Sequence, residues 1–555
     1  MLYPKMNKHR DLYSLNGLWN FLTVNDEFVP LNKSEKTMIM PVPASYNDLV
    51  TDRKLVDYVG KVLYETEFSV PIRDGKIYRL RIGATSHKCD IYLNGELIGK
   101  GINGYYPIDL PLLSLKDNNR LSVVIDNRLT GETLPTSEFK DGKQVATFDF
   151  FNYTGIHRNV CVYTVNENYI EDITVNTVVG GDYKKISVDV KTECKDIAYT
   201  VTDKKGNVVY SGKNNDFEIE NPILWDTENP HLYLLKVETE SDEYELKFGI
   251  RKVEVTPTRF LLNGKPVYFK GFGLHEDFLM SGKGINSPLN VRTFEMIKWI
   301  NANSIRTSHY PYSEEIMDLA DEYGVLVIDE VPAVGMTSGL FKEEKINDNT
   351  KELHKELIRQ LVARDKNHPC VVMYSVANEP GTDEPKSRPY FEDIFACARS
   401  VTDLPITLVN NSLDNQLCVD LCDVICVNRY YAWYTEEQDV SQIEEKLTVA
   451  IEHFRKLGGE KPLIVSEFGA DTLEGNHSLP ADMFTEEYQL EFVREYCKVF
   501  DSYDYCIGEH VWNFSDFKTA PCVWRVRGNR KGIFTRERQP KLVAHFFRDR
   551  WGKIK

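Results

Sequence analysis

The sequence predicts a multidomain chain of β and α/β parts. A jelly-roll-like β-sandwich is expected over residues 1–165 and an immunoglobulin-like β-sandwich over 166–255. A (β/α)8 TIM barrel is expected over 256–555. Three observations predict this. Short runs of alternating apolar and polar residues fill the first 255 positions. Turn signals separate those runs at the spacing of hairpins. Beyond "RKVEVTPTRF" the period changes, and strand-like runs alternate with helical ones. At 555 residues the chain is also too long for a single core.

The first sandwich rests on "LNGLWNFLTV", "KVLYETEFSV", "KIYRLRIGA", "CDIYLNGELIG" and "NRLSVVIDN". Asn94-Gly95 inside "IYLNGEL" is the dipeptide that a two-residue hairpin requires. The second sandwich rests on "EDITVNTVV", "KKISVDVKT", "IAYTVTD", "NVVYSG", "LYLLKVETE" and "YELKFGI", with Gly206-Asn207 as a turn. In the barrel, "VYFKGFGLHED" precedes the helical "NVRTFEMIKWINAN". "SIRTSHYPY" precedes "SEEIMDLADEYG", "VLVIDE" precedes "TKELHKELIRQLVARDKN", and "CVVMYSVANEP" precedes "YFEDIFACARSV". "ITLVNN", "DVICVNRYY", "PLIVSEFGAD" and "IGEHVWNFSDF" supply the remaining strands, making eight in about 300 residues.

Composition excludes several classes. A formal net charge of −17 argues against a general nucleic-acid binder, which needs a basic face. No run of eighteen apolar residues exists, so no membrane span is expected. The N-terminus "MLYPKMNKHR" has no apolar core of a secretory leader. Eleven cysteines, an odd number with no CxxC pair, fit free thiols in a reducing compartment. Cys418, Cys422 and Cys426 lie four apart, but nothing nearby completes a zinc set. The expected location is the cytoplasm, with no metal and no cofactor.

In such a barrel the carboxyl ends of the strands face the active site. Those ends carry His275, Glu276, Asp277, His309, Tyr310, Asp329, Glu330, Asn378, Glu379, Asn428, Arg429, Tyr430, Glu467 and Trp512. Acids flanked by aromatics suit glycoside hydrolysis. That chemistry needs one acid to protonate the leaving oxygen and one carboxylate to attack or to activate water. Glu379 in "SVANEPG" ends the fourth strand and Glu467 in "IVSEFGAD" ends the seventh. Either alone reads as a structural acid paired with an arginine; two at these strands make that reading much weaker.

"NSIRTSHYPYSEEIMDLADEYGVLVI" (Asn303–Ile328) matches the first signature of glycoside hydrolase family 2. "DKNHPCVVMYSVANE" (Asp365–Glu379) matches the second, with Tyr374 where Trp is usual. By these motifs the chain resembles the bacterial β-glucuronidases of that family. The resemblance covers nearly the whole chain and makes the first sandwich a sugar-binding-like domain. It implies that Glu379 is the acid/base and Glu467 the nucleophile of a retaining mechanism, with carboxyl groups about 5–5.5 Å apart. It implies that Glu379 is held protonated.

One segment departs from the acidic background. "VWRVRGNRKGIFTRERQPK" (Val523–Lys541) holds Arg525, Arg527, Arg530, Lys531, Arg536, Arg538 and Lys541 against the single acid Glu537. Within the family an Asn-x-Lys motif distinguishes glucuronidases from galactosidases, and here it reads Asn529-Arg530-Lys531. A glucuronide carries a carboxylate on C5, so a site that selects it needs a cation and a donor aimed at that group. Lys531 is expected to supply the charge, Asn529 an amide donor, and Arg525 a further sugar contact. Arg536, Arg538 and Lys541 are expected on a solvated surface loop.

The resemblance also places Asp149, His309, Asn378, Tyr430, Tyr434 and Trp512 on the sugar subsite. The residues alone leave alternatives. Asp149 is otherwise a strand-edge acid, His309 a satisfied core histidine, and Tyr430, Trp433 or Tyr434 a packing aromatic. The implied substrates are small-molecule or oligosaccharide glucuronides. A β-galacturonidase or other acidic-sugar exo-hydrolase differs only at C4, and a catalytically silent glucuronide-binding protein is a third reading. The implied assembly is a homo-oligomer, tetramer or dimer. The connection "AVGMTSGLFKEEKINDNTKELHKEL" is shorter than in well-known bacterial relatives. Less cover over the mouth is expected, which favours longer substrates over small ones unless another loop or subunit fills the gap.

Overall fold

The computed structural model describes residues 2–35, 37–140, 142–145, 147–413, 415–436 and 439–554. The first sandwich packs a six-stranded sheet on a four-stranded one. In sheet order, the larger has Met38–Val42, Gly17–Val24, Lys61–Phe68, Asn119–Asp126, Lys88–Leu93 and Glu96–Gly101. Trp19, Phe21, Tyr64, Ile91, Leu121 and Val123 meet Leu80, Ile82 and Val162 of the smaller sheet in one core. Leu63, Tyr92 and Val124 point to the other face and form a second apolar cluster with Val24. Period-two alternation alone therefore understates how buried these strands are. Asn94 and Gly95 close the expected hairpin with φ of 54° and 91°. Both values lie in the left-handed region that a tight two-residue turn demands.

The second sandwich pairs Asp172–Thr177, Lys185–Lys191 and Asp216–Glu218 in one sheet. Val208–Gly212, Ala198–Thr202, Tyr233–Glu238 and Glu243–Phe248 form the other. Ile173, Val188, Val201, Leu235 and Phe248 fill the space between them. A three-stranded meander, Val253–Val255, Phe260–Leu262 and Lys265–Val267, then leads into the barrel.

The barrel closes with eight parallel strands. They are β1 (Phe269–Gly273), β2 (Ser304–Arg306), β3 (Leu326–Glu330), β4 (Val371–Asn378), β5 (Ile406–Asn410), β6 (Ile425–Asn428), β7 (Leu463–Glu467) and β8 (Cys506–Val511). Each corresponds to one run read from the sequence. The longer helices are α1 (Ser287–Trp299), α2 (Glu314–Tyr323), α3 (Asp348–Asp365), α4 (Ser387–Arg399), α5 (Ile443–Leu457), α6 (Glu486–Phe500) and α7 (Leu542–Trp551), and a short one, Ser338–Lys342, follows β3. Side chains start several of them: Asn286 accepts from Leu289 N, Thr485 from Tyr488 N, and Asn347 forms a capping box with Thr350. Among the described residues between β5 and β6 the one helical element is a 3-10 turn, Val419–Leu421.

The first sandwich lies against the carboxyl end of the barrel. Thr136 N donates to Val334 O at 3.0 Å, and Phe151 N to Lys518 O at 3.0 Å. Glu138 pairs with Lys345 at 2.9 Å, and Arg158 with Glu276 at 3.1 Å. This docking brings residues 147–149 to the barrel mouth.

The basic segment folds differently from expectation beyond Lys531. Arg538 and Lys541 are buried, and Arg536 is mostly so. Arg536 bridges Asp48 of the sandwich (2.7 Å) and Asp277 of the barrel (2.5 Å). Lys541 Nζ donates to Asp516 (2.8 Å) and to the carbonyls of Thr472 and Arg530 (each 2.9 Å). Arg538 donates to the Arg536 carbonyl at 2.6 Å. These cations are not on a solvated loop. They satisfy buried acids and carbonyls contributed by distant segments, a partnership that local charge count does not reveal.

Buried histidines make the fold acid-sensitive. Burial pushes His87 and His510 down to about 3 and His354 down to about 4, and holds His157 and His275 well below the ordinary range. Each is neutral when folded and protonated at pH 5 when unfolded, so its stability is lost as pH falls below the unfolded value. For His87, His354 and His510 the loss at pH 5 is about 2 kcal/mol each. His368 runs the other way: burial disfavours its charge, but Asp321 at 2.6 Å outweighs that and raises it to about 9. The thermal midpoint is expected to fall clearly between pH 7 and pH 5. A calorimetric midpoint that is flat or rising over that interval contradicts the assignment.

Candidate active site

The carboxyl ends of β2 to β8 surround a cavity of about 400 Å3. Its floor and walls include His309, Asn378, Glu379, Asn428, Tyr430, Glu467 and Trp512. Thr147, Phe148 and Asp149 of the sandwich line the mouth, with Val334, Gly335, Thr337, Tyr434 and Arg525.

Glu467 ends β7, where Asn428 of β6 is its register partner. Arg306, at the end of β2, donates Nη2 to Glu467 Oε1. Tyr430 OH donates to Oε2 at 2.6 Å. Both oxygens thus accept, as a carboxylate requires. Burial raises the Glu467 carboxyl to about 8, Arg306 opposes the rise, and Glu379 adds to it. Arg306 is itself buried and held by Glu330 at 2.8 Å and 3.0 Å. Glu330 also accepts from Ser375 (2.7 Å) and bonds His309 Nδ1 (2.8 Å). His309 stacks on Trp512 with centroids 5.2 Å apart, so both rings are fixed as a wall of the cavity.

Glu379 follows β4 directly, and its φ of +46° lies in the left-handed region. A non-glycine residue held there turns its side chain out of the strand's alternation. The conformation is anchored on both sides: Glu379 N donates to Val409 O (2.9 Å) and Asn378 N to Ala333 O (3.0 Å). Asn428 Nδ2 donates to Glu379 Oε1 at 2.7 Å, and Ser466 in turn donates to Asn428 Oδ1 at 2.9 Å. Asn378 Oδ1 accepts from Arg306 Nη1 at 3.3 Å.

The side wall is built from charge. Arg525 Nε donates to both oxygens of Asp149 at 3.0 Å, and Asn529 Nδ2 donates to Asp149 Oδ2 at 2.7 Å. Lys531 Nζ donates to Tyr434 OH (2.9 Å) and to Asp471 Oδ2 (2.5 Å). Arg525 Nη1 donates to the same Asp471 oxygen at 3.0 Å. Lys531 is 0% exposed and lies 4.7 Å from the Tyr434 ring centroid, behind a residue that is itself 49% exposed.

Every candidate substrate contact read from the sequence lies at the cavity or on this wall. Trp433 does not line the cavity; it packs against Phe484 and Tyr488, with Lys531 Nζ 5.2 Å from its ring centroid. The strand-end acids Glu276, Asp277 and Asp329 do not line it: the first two pair with Arg158 and Arg536, and Asp329 accepts from Thr307. Sequence reasoning missed Arg306 and Asp471. Arg306 stands in "SIRTSHYPY" as an arginine inside a strand, which is uncommon unless an acid faces it. Asp471 stands four residues beyond Glu467.

Outside the cavity, Asp321, His368 and Cys370 bring three possible ligand atoms within 4.8 Å of one another. Asp321 already accepts from His368 (2.6 Å) and from Cys370 N (2.9 Å), and burial raises the thiol well above its ordinary range. The group ties α2 to β4. Among the described residues no helix is long and apolar enough to cross a membrane.

The family model of the glycosyl hydrolases family 2 TIM barrel domain matches residues 253–555. The general family 2 model matches 159–251, and the family 2 sugar binding domain matches 12–166. The chain belongs to glycosyl hydrolases family 2. It is similar to a β-glucuronidase of Paenibacillus borealis, 40% identical over 100% of this chain and 99% of that one. It is similar to the solved β-glucuronidase of an uncultured Clostridium species, with 43% identity, a TM-score of 0.96 and full coverage of both chains. It is also similar to a Bifidobacterium dentium β-glucuronidase complexed with coumarin-3-O-glucuronide. There the TM-score is 0.93 and the identity 36%, over 100% of this chain and 99% of that one. In family 2 terms, this chain is a glycoside hydrolase with its cavity at the barrel's carboxyl end and the sugar binding domain docked over that end.

Proposed function

We propose that the protein is a retaining β-glucuronidase that releases D-glucuronate from β-D-glucuronides. One observation carries the reading. Two glutamates, at the ends of β4 and β7, share a cavity whose side wall holds two cations, Arg525 and Lys531, and the amide of Asn529. Glu467, ionised and oriented by Arg306 and Tyr430, attacks the anomeric carbon. Glu379 protonates the departing aglycone oxygen, then takes a proton from the water that releases glucuronate. Asn378 faces the 2-hydroxyl, and His309 and Trp512 shape the sugar's bed. The substrate's carboxylate takes donors from Arg525, Asn529 and Lys531, and Asp149 then turns to sugar hydroxyls. No cofactor enters these steps. We further propose a bacterial, cytoplasmic protein, in keeping with its free thiols, that acts as a homo-oligomer, tetramer or dimer.

A chromogenic β-glucuronide tested beside the matching galacturonide and glucoside separates the readings. Preferential glucuronide turnover is the expected result. A faster galacturonide makes the protein a galacturonidase, and binding without turnover makes it a silent binder. Lys531→Ala then tests the wall. It is expected to lower kcat/KM on the glucuronide by about 10- to 100-fold, the worth of a charge-assisted hydrogen bond. The glucoside rate should stay unchanged or rise. An equal fall on both substrates removes Lys531 from anion recognition.

A further inference from the structure

We infer that Asp471 is the positioning residue of the uronate-recognising wall, holding Lys531 and Arg525 where a substrate carboxylate needs them. The inference rests on the function proposed above. Asp471 lies on the turn after β7, four residues beyond Glu467, and is 1% exposed. Its Oδ2 accepts from Lys531 Nζ at 2.5 Å and from Arg525 Nη1 at 3.0 Å. Its Oδ1 accepts from Arg530 N at 2.6 Å. One carboxylate therefore grips both cations and the backbone between Asn529 and Lys531.

Two acids serve this wall, and they stand in different relation to a ligand. The Asp149 side chain is 38% exposed, arrives from the sandwich and lines the cavity. An incoming carboxylate meets it there and competes for Asn529 and Arg525. Asp471 is sealed behind the cations, among Lys531, Arg525, Arg530 N and the Tyr434 hydroxyl that bonds both cations. It has no route of exchange with the ligand, so it keeps its grip with or without substrate.

Three consequences follow from the burial of Asp471 behind this wall. Buried cations need a counter-charge before any substrate arrives. Burial alone disfavours the Asp471 carboxylate, but Lys531 and Arg525 outweigh that and hold it below its ordinary range. Two cations that share one oxygen also repel each other once that oxygen is neutral, so they splay and lose their aim. Finally, Asp471 joins the anion wall to the strand that ends in Glu467. The spacing between the sugar carboxylate and the anomeric carbon is thereby set by a rigid element, not by a free loop.

The test replaces charge and keeps shape. Asp471→Asn can still accept from Arg530 N. Nitrophenyl glucuronide and glucoside kinetics are measured on parent and variant, with calorimetric affinities for uronic deoxynojirimycin and its neutral counterpart. The expected result is a fall of about 10- to 100-fold in kcat/KM on the glucuronide, carried mainly by KM, with the neutral arm unmoved. Affinity for the uronic iminosugar is expected to fall by a similar factor. If both arms fall equally alongside the thermal midpoint, Asp471 is only structural and the inference fails. It also fails if uronate affinity is unchanged or rises. Should Asp471→Asn not fold, Asp471→Glu, which keeps the charge but displaces it, carries the same comparison with the same outcomes. A parent that shows no preference for the uronic iminosugar overturns the functional reading and this inference together. A parent that prefers it, beside a variant that keeps the preference, overturns this inference alone.

Discussion

Glu467→Ala is expected to lower turnover of a nitrophenyl glucuronide by on the order of 10^4-fold or more, because the attacking group itself is removed. The fold should persist. The Glu467 carboxyl is raised to about 8, chiefly by burial. A carboxyl raised in this way adds stability below its unfolded pKa and loses it as pH rises through the folded one. Burying this carboxyl is therefore a cost to stability at neutral pH, where the unfolded chain ionises it freely and the fold disfavours its charge, and Glu467→Gln is expected to melt no lower than the parent at pH 7. Its partner Arg306 is not orphaned by either change, since Glu330 still holds that guanidinium at 2.8 Å. The same raised carboxyl sets a sign for the activity profile. Attack needs the ionised form, so kcat/KM falls as pH drops through the pKa, and the acid limb should lie well above the ordinary carboxylate range. Added azide, small enough to enter the vacated space, is expected to return some turnover with inverted stereochemistry in Glu467→Ala. Activity near that of the parent in a clean preparation of this variant dismisses Glu467 as the nucleophile.

Strands such as β3, β5, β6 and β7 were legible because each is a short apolar run stopped by a polar residue, and burial on both faces makes such runs hard to miss. Glu379 and Glu467 were legible for the same reason: strand ends point at the mouth. What stayed hidden depends on contacts between distant segments. Arg306 reads locally as an odd residue in a strand, and only the closed barrel sets Glu330 and Glu467 on either side of it. Asp471 reads as one acid among 84 Asp and Glu residues until the turn after β7 meets the Asn529–Lys531 loop. The basic segment misled in the opposite direction. Its cations look like a solvated cluster along the chain, yet Arg536 and Lys541 find Asp48, Asp277 and Asp516 in three dimensions. Charge pairing over several hundred residues has no sequence period, so no reading of pattern recovers it. The mouth shows the same limit. Thr147 and Phe148 of the sandwich line the cavity beside Val334 and Gly335 of the connection after β3. Part of the cover is thus supplied by a domain far away in sequence.

Glu379→Gln is expected to divide substrates by their leaving groups. Where the aglycone is a poor leaving group, such as an alkyl alcohol, bond breaking waits on a proton, and the amide has no acidic proton to give. The loss there should reach about 10^2- to 10^4-fold, the usual worth of a positioned general acid. A nitrophenolate leaves with little help, so formation of the glycosyl-enzyme from a nitrophenyl glucuronide should be slowed far less. The geometry supports the division of labour. Asn428 Nδ2 donates to Glu379 Oε1 at 2.7 Å and so fixes one oxygen as an acceptor. Glu467 has both oxygens occupied by Arg306 and Tyr430 and is left with no proton to donate as a carboxylate. Glutamine preserves the Asn428 contact through its carbonyl oxygen, so the side chain should stay in place and a loss of activity reports the proton and not a collapsed site. Water attack on the glycosyl-enzyme also loses its base, which predicts a burst of nitrophenol followed by a slow steady state. Single-turnover rates on the two leaving-group classes make the measurement. Equal losses on both, with no burst, would mean that the proton comes from elsewhere, and Glu379 would then be only an orienting group for the sugar.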